Sequence, residues 1–171
     1  MANHIKLFDI SKNLLDLALE YFINADTKYI QSALLEKSPH SIKLDAYLSV
    51  PQTCFLNPPS DHLNSVDMMI CLNQICLVYL FGAISSGLLP CYSGISIDYF
   101  NIFKRNISIV EYQNVRFKRP ICNQSFFGTV ELTQLRSANN KILFQGDFIF
   151  GNVLSCPDCI GKIKFFTPKL R

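Results

Sequence analysis

Charge and tryptophan are scarce in this sequence of 171 residues. Tryptophan is absent, charged residues make up only 17% of the chain, and the net charge is +3. Such a small positive charge leaves no electrostatic footprint for nucleic acid, so we expect no nucleic-acid partner. Internal repeats, low-complexity stretches and interdomain linkers are also missing. At this length, the chain is expected to form one domain over residues 1–171.

The sequence also lacks the features of a secreted protein. The opening MANHIKLFDISKN is mixed and polar, without the basic region and apolar stretch of a secretory signal. Seven cysteines are present, an odd number without the regular spacing of a disulfide framework. This pattern favours free thiols in a reducing compartment, so we expect a cytoplasmic protein.

Apolar residues are plentiful: they make up 49% of the chain and include fourteen Phe and seven Tyr. DISKNLLDLALEYFINAD has the spacing of an amphipathic helix capped by Asp9 or Ser11, and a second short helix is predicted over Lys28 to Leu35. SIKLDAYLSV alternates as a strand does. Five later stretches rich in Ile, Val, Phe and Tyr predict further strands: GISIDYFNIF, NISIVEYQNVRFKRPI, SFFGTVELTQLRS, KILFQGDFIFG and CIGKIKFFTP.

One long apolar segment, Val66 to Ile84, is almost long enough to cross a bilayer. Asn73 and Gln74 lie in the middle of it, where a single membrane span offers no hydrogen-bond partners. A sheet wrapped around this segment would bury both surfaces. We therefore expect no membrane span, but a core helix ending near the Ser85-Ser86-Gly87 breaker in an α+β fold.

The motif HLNSVDMMICLNQ resembles the signature of the FcoT-type long-chain fatty acyl-CoA thioesterases. The matching residues are His62, Asn64, Val66, Asp67, Cys71, Asn73 and Gln74. LLDLALEYF, RFKRPICNQSF and CIGKIKF are similar to the family's leading helix, Arg-Phe-x-x-Pro strand and last strand, in the same order. The resemblance implies a hot-dog fold, in which a curved antiparallel sheet wraps a long central helix. It places an N-terminal helical segment at 1–38 and the hot-dog core at 42–168.

The same resemblance implies site residues. The family's two functional asparagines correspond to Asn64 and Asn73. Its first tyrosine corresponds to Tyr21, with Phe22 as the alternative one residue later. At the second tyrosine this sequence has Phe55, which removes a hydroxyl from the site.

Thioester hydrolysis needs a polarised carbonyl, a positioned water and an apolar channel for the acyl chain. Hot-dog enzymes resemble one another in polarising the carbonyl at a helix N-terminus, which here begins at Asn64 or Ser65. We predict five catalytic residues: Asn64, Asn73, Tyr21, His62 and Asp67. We predict seven substrate contacts: Phe55, Ser65, Val66, Gln74 and the cations Arg116, Lys118 and Arg119, which would face phosphates.

Structural interpretations stand beside these assignments. Asn64 is also a good helix cap, Asp67 suits the first turn of a helix, and Gln74 could make buried hydrogen bonds. The CPDC stretch, Cys156 to Cys159, has turn chemistry between two strands, and the further ligands of a zinc site are not evident. We expect no metal or cofactor, except the coenzyme A or phosphopantetheine carried by the substrate.

The predicted function is hydrolysis of a fatty acyl thioester, on coenzyme A or an acyl-carrier protein, in lipid, polyketide or lipopeptide metabolism. One alternative is a hot-dog hydratase or dehydratase, for which His62 and Asp67 could supply the base and acid. Another is a non-catalytic acyl-binding protein, favoured by Phe55. A short sheet with apolar strands leaves an edge to be covered, so we expect a homo-oligomer, at least a dimer.

Overall fold

A computed structural model describes residues 5–20, 22, 27–51, 60–103, 107–138, 140–153 and 155–170. Its helices are α1 (Lys12–Leu19), α2 (Ser65–Ser85) and α3 (Ile97–Phe103), with a 3₁₀ turn at Pro90–Tyr92. Its strands are β1 (Lys6–Asp9), β2 (Ile30–Lys37), β3 (Ile42–Leu48), β4 (Ser108–Phe117), β5 (Phe126–Ala138), β6 (Lys141–Gly151) and β7 (Cys159–Pro168). The seven strands form one antiparallel sheet in the order β1-β2-β3-β5-β6-β7-β4.

The long helix α2 lies against the inner face of this sheet. By length and composition it could cross a membrane, but 78% of its most apolar window is buried inside the protein. It ends where Gly87 adopts a φ of +64°, and the N–H of Leu88 donates to the carbonyl of Ala83 at 2.8 Å. This C-terminal cap requires the left-handed conformation that glycine adopts without strain. The predictions of a core helix and of its breaker are confirmed.

The inner face of the sheet is built by strict alternation. In β3, Ile42, Leu44, Ala46 and Leu48 are buried, as the sequence predicts. The α2 backbone lies closest to β2, β3 and β5, which leaves a wider space under the remaining strands. Large rings fill much of that space: Phe144, Phe148, Phe150 and Phe165. The result is the predicted hot-dog arrangement, an α+β fold with one central helix.

The predicted elements differ from the structure at three places. The helix predicted over Lys28 to Leu35 is strand β2, and β1 was not predicted, so the segment 1–38 is not purely helical. β2 pairs with β3 and turns Leu35 into the core, and these long-range contacts override its helix-forming composition. Conversely, the strand predicted in GISIDYFNIF is helix α3, whose Phe100 packs edge-on against Phe81 and Tyr92.

Candidate active site

Asn64 caps the N-terminus of α2. Its backbone is extended, with φ −90° and ψ 172°, and its Oδ1 accepts the N–H groups of Val66 at 2.8 Å and Asp67 at 2.9 Å. Its Nδ2 donates to Asp67 Oδ2 at 2.5 Å. Asn64 is thus the N-cap, and both ends of its amide are oriented by the first turn of the helix.

Asp67 is fully buried. A carboxylate in the first turn is stabilised by the helix dipole, and here it also accepts the hydrogen bond from Asn64. It has no surface exposed to solvent. The structure therefore brings Asn64 and Asp67 together, with Asp67 holding the Asn64 amide.

One amide in the first turn of α2 has no hydrogen-bond acceptor among the described residues. Asn64 occupies the N–H groups of Val66 and Asp67, and the N–H of Met68 donates to the Asn64 carbonyl at 2.9 Å. No described residue accepts a hydrogen bond from the Ser65 N–H, and the Ser65 side chain is exposed. An oxygen that develops negative charge could bind this N–H at the positive end of the helix dipole.

An uncovered stripe runs along α2 from this end. Val66 and Met69 are each 42% exposed, although both belong to a helix that is otherwise mostly buried. Asn73 follows four positions after Met69, on the same face, and is half-buried. Its Nδ2 donates to the Met69 carbonyl at 3.0 Å, while its Oδ1 has no partner among the described residues. Such an apolar surface could bind an acyl chain, and the Asn73 carboxamide could accept a hydrogen bond from a polar group bound beside that chain.

Asn64 and Asn73 do not meet at one point. They are nine residues apart on the same helix, which places their Cα atoms about 13.5 Å apart along its axis. One carbonyl therefore cannot contact both side chains of a single chain.

Gln74 faces away from the stripe and is fully buried. Its Oε1 accepts the N–H of Tyr29 at 2.9 Å and its Nε2 donates to the Thr27 carbonyl at 2.5 Å. These bonds connect the residues just before β2 to the middle of α2. Both polar atoms of the Gln74 side chain therefore bind the backbone.

The three predicted phosphate contacts lie at the end of β4 and just after it, and all are exposed. Arg116 and Lys118 have no ion pair to a described residue. Arg119 differs, because its Nε lies 2.7 Å from Asp158 Oδ1 and its Nη2 donates to Cys156 Sγ at 2.6 Å. The Cys156 thiol and the Asp158 carboxylate raise the pKa of Arg119 above its usual range.

The structure does not place three other predicted residues, His62, Tyr21 and Phe55, in the site. His62 is exposed in the segment before α2, where it forms an isolated antiparallel bridge with Cys122. It is not presented beside an accessible Asp67 carboxylate, since Asp67 is buried. Tyr21 and Phe55 lie outside the described residues.

Tyr112 was missed by sequence reasoning. It pairs with the core residue Ile163, so its side chain points from β4 toward α2. Burial, with a smaller contribution from the Cys76 thiol one turn after Asn73, raises the pKa of Tyr112 to about 12. The phenol stays protonated at neutral pH and can donate a hydrogen bond. Alternation along β4 could have identified it.

The described cysteines are all free thiols. Among the described residues, no group of three or more His, Cys, Asp or Glu is placed to hold a metal ion. Pro157 and Asp158 lie in the connection between β6 and β7, but the turn itself comes just before them, where the N–H of Cys156 donates to the Val153 carbonyl at 3.0 Å.

The sequence matches a known family of protein domains. The model of the FcoT-like thioesterase domain matches residues 18–152. The chain belongs to the FcoT-like thioesterase domain family. Its hot-dog fold agrees with this membership.

Individual proteins similar to this FcoT-like chain share 25% or less of its sequence over the aligned residues. It is 25% identical over 105 residues to a (2E)-enoyl-[ACP] glycyltransferase of Streptomyces coeruleorubidus, an alignment covering 61% of this chain and 62% of that protein. A mutant thioesterase from Pseudomonas aeruginosa is similar in structure, with TM-score 0.50, 12% identity and coverage of 94% and 96%. A proposed thioesterase of Syntrophus aciditrophicus has TM-score 0.49, 17% identity and coverage of 92% and 99%. At 12% identity, the likeness to the Pseudomonas aeruginosa thioesterase shows the fold alone.

Proposed function

We propose that this protein hydrolyses a fatty acyl thioester, carried by coenzyme A or an acyl-carrier protein, at the N-terminus of α2. The observation that carries the proposal is the continuity of the capped helix end with the uncovered stripe of Val66, Met69 and Asn73. A polarising group and an apolar surface thus adjoin, as thioester hydrolysis requires.

In this mechanism the thioester carbonyl binds beside the Ser65 N–H, where the helix dipole stabilises the developing oxyanion. Asn64 holds the first turn in shape and keeps its second Nδ2 hydrogen for the substrate or the attacking water. Asp67 orients Asn64 through their hydrogen bond. Water adds to the carbonyl carbon, the carbon–sulfur bond breaks, and the thiol leaves with a proton.

The test is turnover on acyl-CoA and acyl-carrier-protein substrates of several chain lengths, followed by release of free thiol and of free fatty acid. Release of both in equal amounts supports hydrolysis. Saturable binding of the acyl thioester without turnover would instead identify an acyl-binding protein.

Phe55→Tyr is expected to accelerate this hydrolysis. The substitution restores the hydroxyl that the family resemblance places at this position. One hydrogen bond to developing charge contributes about 2–4 kcal/mol in favourable cases, so we expect kcat to rise about tenfold or more. Steady-state kinetics on one acyl-CoA measure it. A raised KM with unchanged kcat would show that the hydroxyl is buried without a partner in an apolar channel.

A second candidate reaction is conjugate addition of an amine to a 2-enoyl thioester. The Streptomyces relative is named as a (2E)-enoyl-[ACP] glycyltransferase, which pairs an enoyl thioester with glycine. The amine nitrogen would bond to C3, and its proton would pass to C2. The Asn73 Oδ1, which accepts no hydrogen bond from the described part of the chain, favours this candidate, because it could accept one from an incoming amine. Mass spectrometry of an enoyl thioester incubated with glycine distinguishes an adduct from the free acid.

We expect the protein to be a dimer that pairs through β4. Within the described part of the chain, this ten-residue strand forms one edge of the sheet and leaves a row of backbone groups without a neighbouring strand. A second copy would also allow Asn64 and Asn73 of different protomers to approach one substrate.

Sedimentation at micromolar concentration measures this association. Val115→Glu, on β4, is expected to dissociate the dimer, whereas Val153→Glu, at an exposed position outside the strands, is the matched control. A monomeric wild-type protein would contradict a shared site.

A further inference from the structure

Directly before β7 lies a nearly buried carboxylate that the proposed mechanism does not use. Asp158 is 3% exposed. Its Oδ1 lies 2.7 Å from Arg119 Nε, and its Oδ2 accepts the N–H of Asn152 at 2.9 Å and the Asn152 Nδ2 at 3.1 Å. Its backbone carbonyl accepts the N–H of Lys118 at 2.6 Å. A buried charge satisfied by this many donors fixes the segments that supply them.

Asn152 links this carboxylate to the segment that follows β4. Its Oδ1 accepts the N–H of Cys122 at 2.8 Å, and its Nδ2 donates to the Pro120 carbonyl at 3.3 Å. The end of β6, the start of β7 and the residues after β4 are therefore joined at one place.

The residues after Pro120 in turn hold the chain that enters α2. The N–H of Leu63 donates to the Ile121 carbonyl at 2.9 Å, and the N–H of Asn123 donates to the Asp61 carbonyl at 3.2 Å. Leu63 and Ile121 are both buried, so this short ladder is packed as well as hydrogen-bonded. The residue after Leu63 is the helix cap.

We infer that Arg119 and Asp158 are positioning residues for the N-terminus of α2, which they hold in place through Asn152. The inference rests on the proposed function, and it gives Arg119 a different role from the phosphate contact that the sequence predicts. Two nitrogens of its guanidinium are engaged by Asp158 and Cys156. The neighbouring cation Arg116, without a partner among the described residues, is the better candidate for phosphate.

Two substrates distinguish a positioning role from a phosphate contact: an acyl-CoA, and the same acyl group on N-acetylcysteamine, which carries no phosphate. A displacement of about 1 Å at a reacting centre can cost about a hundredfold in rate, so Arg119→Ala and Asp158→Asn are expected to lower kcat about tenfold to a hundredfold on both. KM should change little. Asp147→Asn, an exposed carboxylate on β6, is the matched control.

Loss confined to the acyl-CoA substrate would overturn the inference, since a phosphate contact matters only there. Unchanged kcat on both substrates would overturn it equally. If Asp158→Asn does not fold, Arg119→Ala decides alone, because Arg119 has an exposed side chain.

Amide hydrogen exchange gives a readout that does not depend on turnover. The N–H groups of Leu63, Val66 and Asp67 should exchange faster in both variants than in wild type, while those in the middle of α2 are unchanged. If wild type turns over neither substrate, the proposed function fails, yet exchange still tests the positioning. Unchanged exchange at these three amides would overturn it.

Discussion

Asn73→Ala is expected to lower both kcat and kcat/KM by more than about tenfold, because a group that acts only on the transition state affects the two alike. The Asn73 Nδ2 donates to the Met69 carbonyl, and this local bond directs Oδ1 away from the helix backbone. Oδ1 is thus a fixed acceptor on the uncovered stripe of α2, available to water, to an amine or to the substrate.

The fold should tolerate this substitution. Asn73 is half-buried, it makes no side-chain hydrogen bond to another element among those described, and alanine has the higher helix propensity. Asn13→Ala, at an exposed position of α1, is the matched control and should leave turnover unchanged. Circular dichroism and thermal unfolding verify the fold. Normal hydrolysis by Asn73→Ala, or its unfolding, would identify Asn73 as a structural residue.

Gly146→Ala is expected to be the most destabilising small substitution in the sheet. A Cβ atom at Gly146 would lie 2.0 Å from the carbonyl oxygen of Glu131 and 2.9 Å from the Cα of Leu132. The strands approach closely here because β5 has an irregularity between Leu132 and Gln134. Backbone atoms cannot rotate away as a side chain can, so β5 and β6 would have to separate.

We expect the free energy of unfolding to fall by about 3 kcal/mol or more, which lowers Tm by about 6–12 °C for a chain of this size. Gly82→Ala is the matched control. There the added Cβ would lie 2.5 Å from Ile10 Cδ1, the end of a flexible side chain that can move aside, and alanine favours the helix. Calorimetry compares the two. Equal stability of Gly146→Ala and wild type would contradict the close approach.

The fold was predictable wherever one physical signal was strong. The long apolar run of α2 and the alternation of β3 each have a single good interpretation. β2 reads IQSALLEK, whose Ala, Leu, Glu and Lys favour a helix, and only pairing with β3 makes it a strand. Just before α3, the Ser96 hydroxyl accepts the N–H of Tyr99 at 3.1 Å, a capping signal that was outweighed by aromatic and β-branched residues.

In the candidate site, too, some contacts were predictable from sequence and others were not. Contacts within one helix turn follow from spacing, and the bond between Asn64 and Asp67 is of this kind. The pair of Arg119 and Asp158 joins residues far apart in sequence, which only the sheet topology brings together. The sequence therefore predicted the position of the α2 N-terminus, but not the contacts between distant residues that keep it in place.

The short outer strand β1 has a consequence for behaviour at high concentration. It has only four residues and begins and ends with the charged side chains of Lys6 and Asp9, whereas β4 at the opposite edge has ten residues. Short, charged edge strands are poor templates for adding another chain. Sheet growth is thus discouraged on one side, so pairing at β4 would close after two copies rather than extend into fibrils.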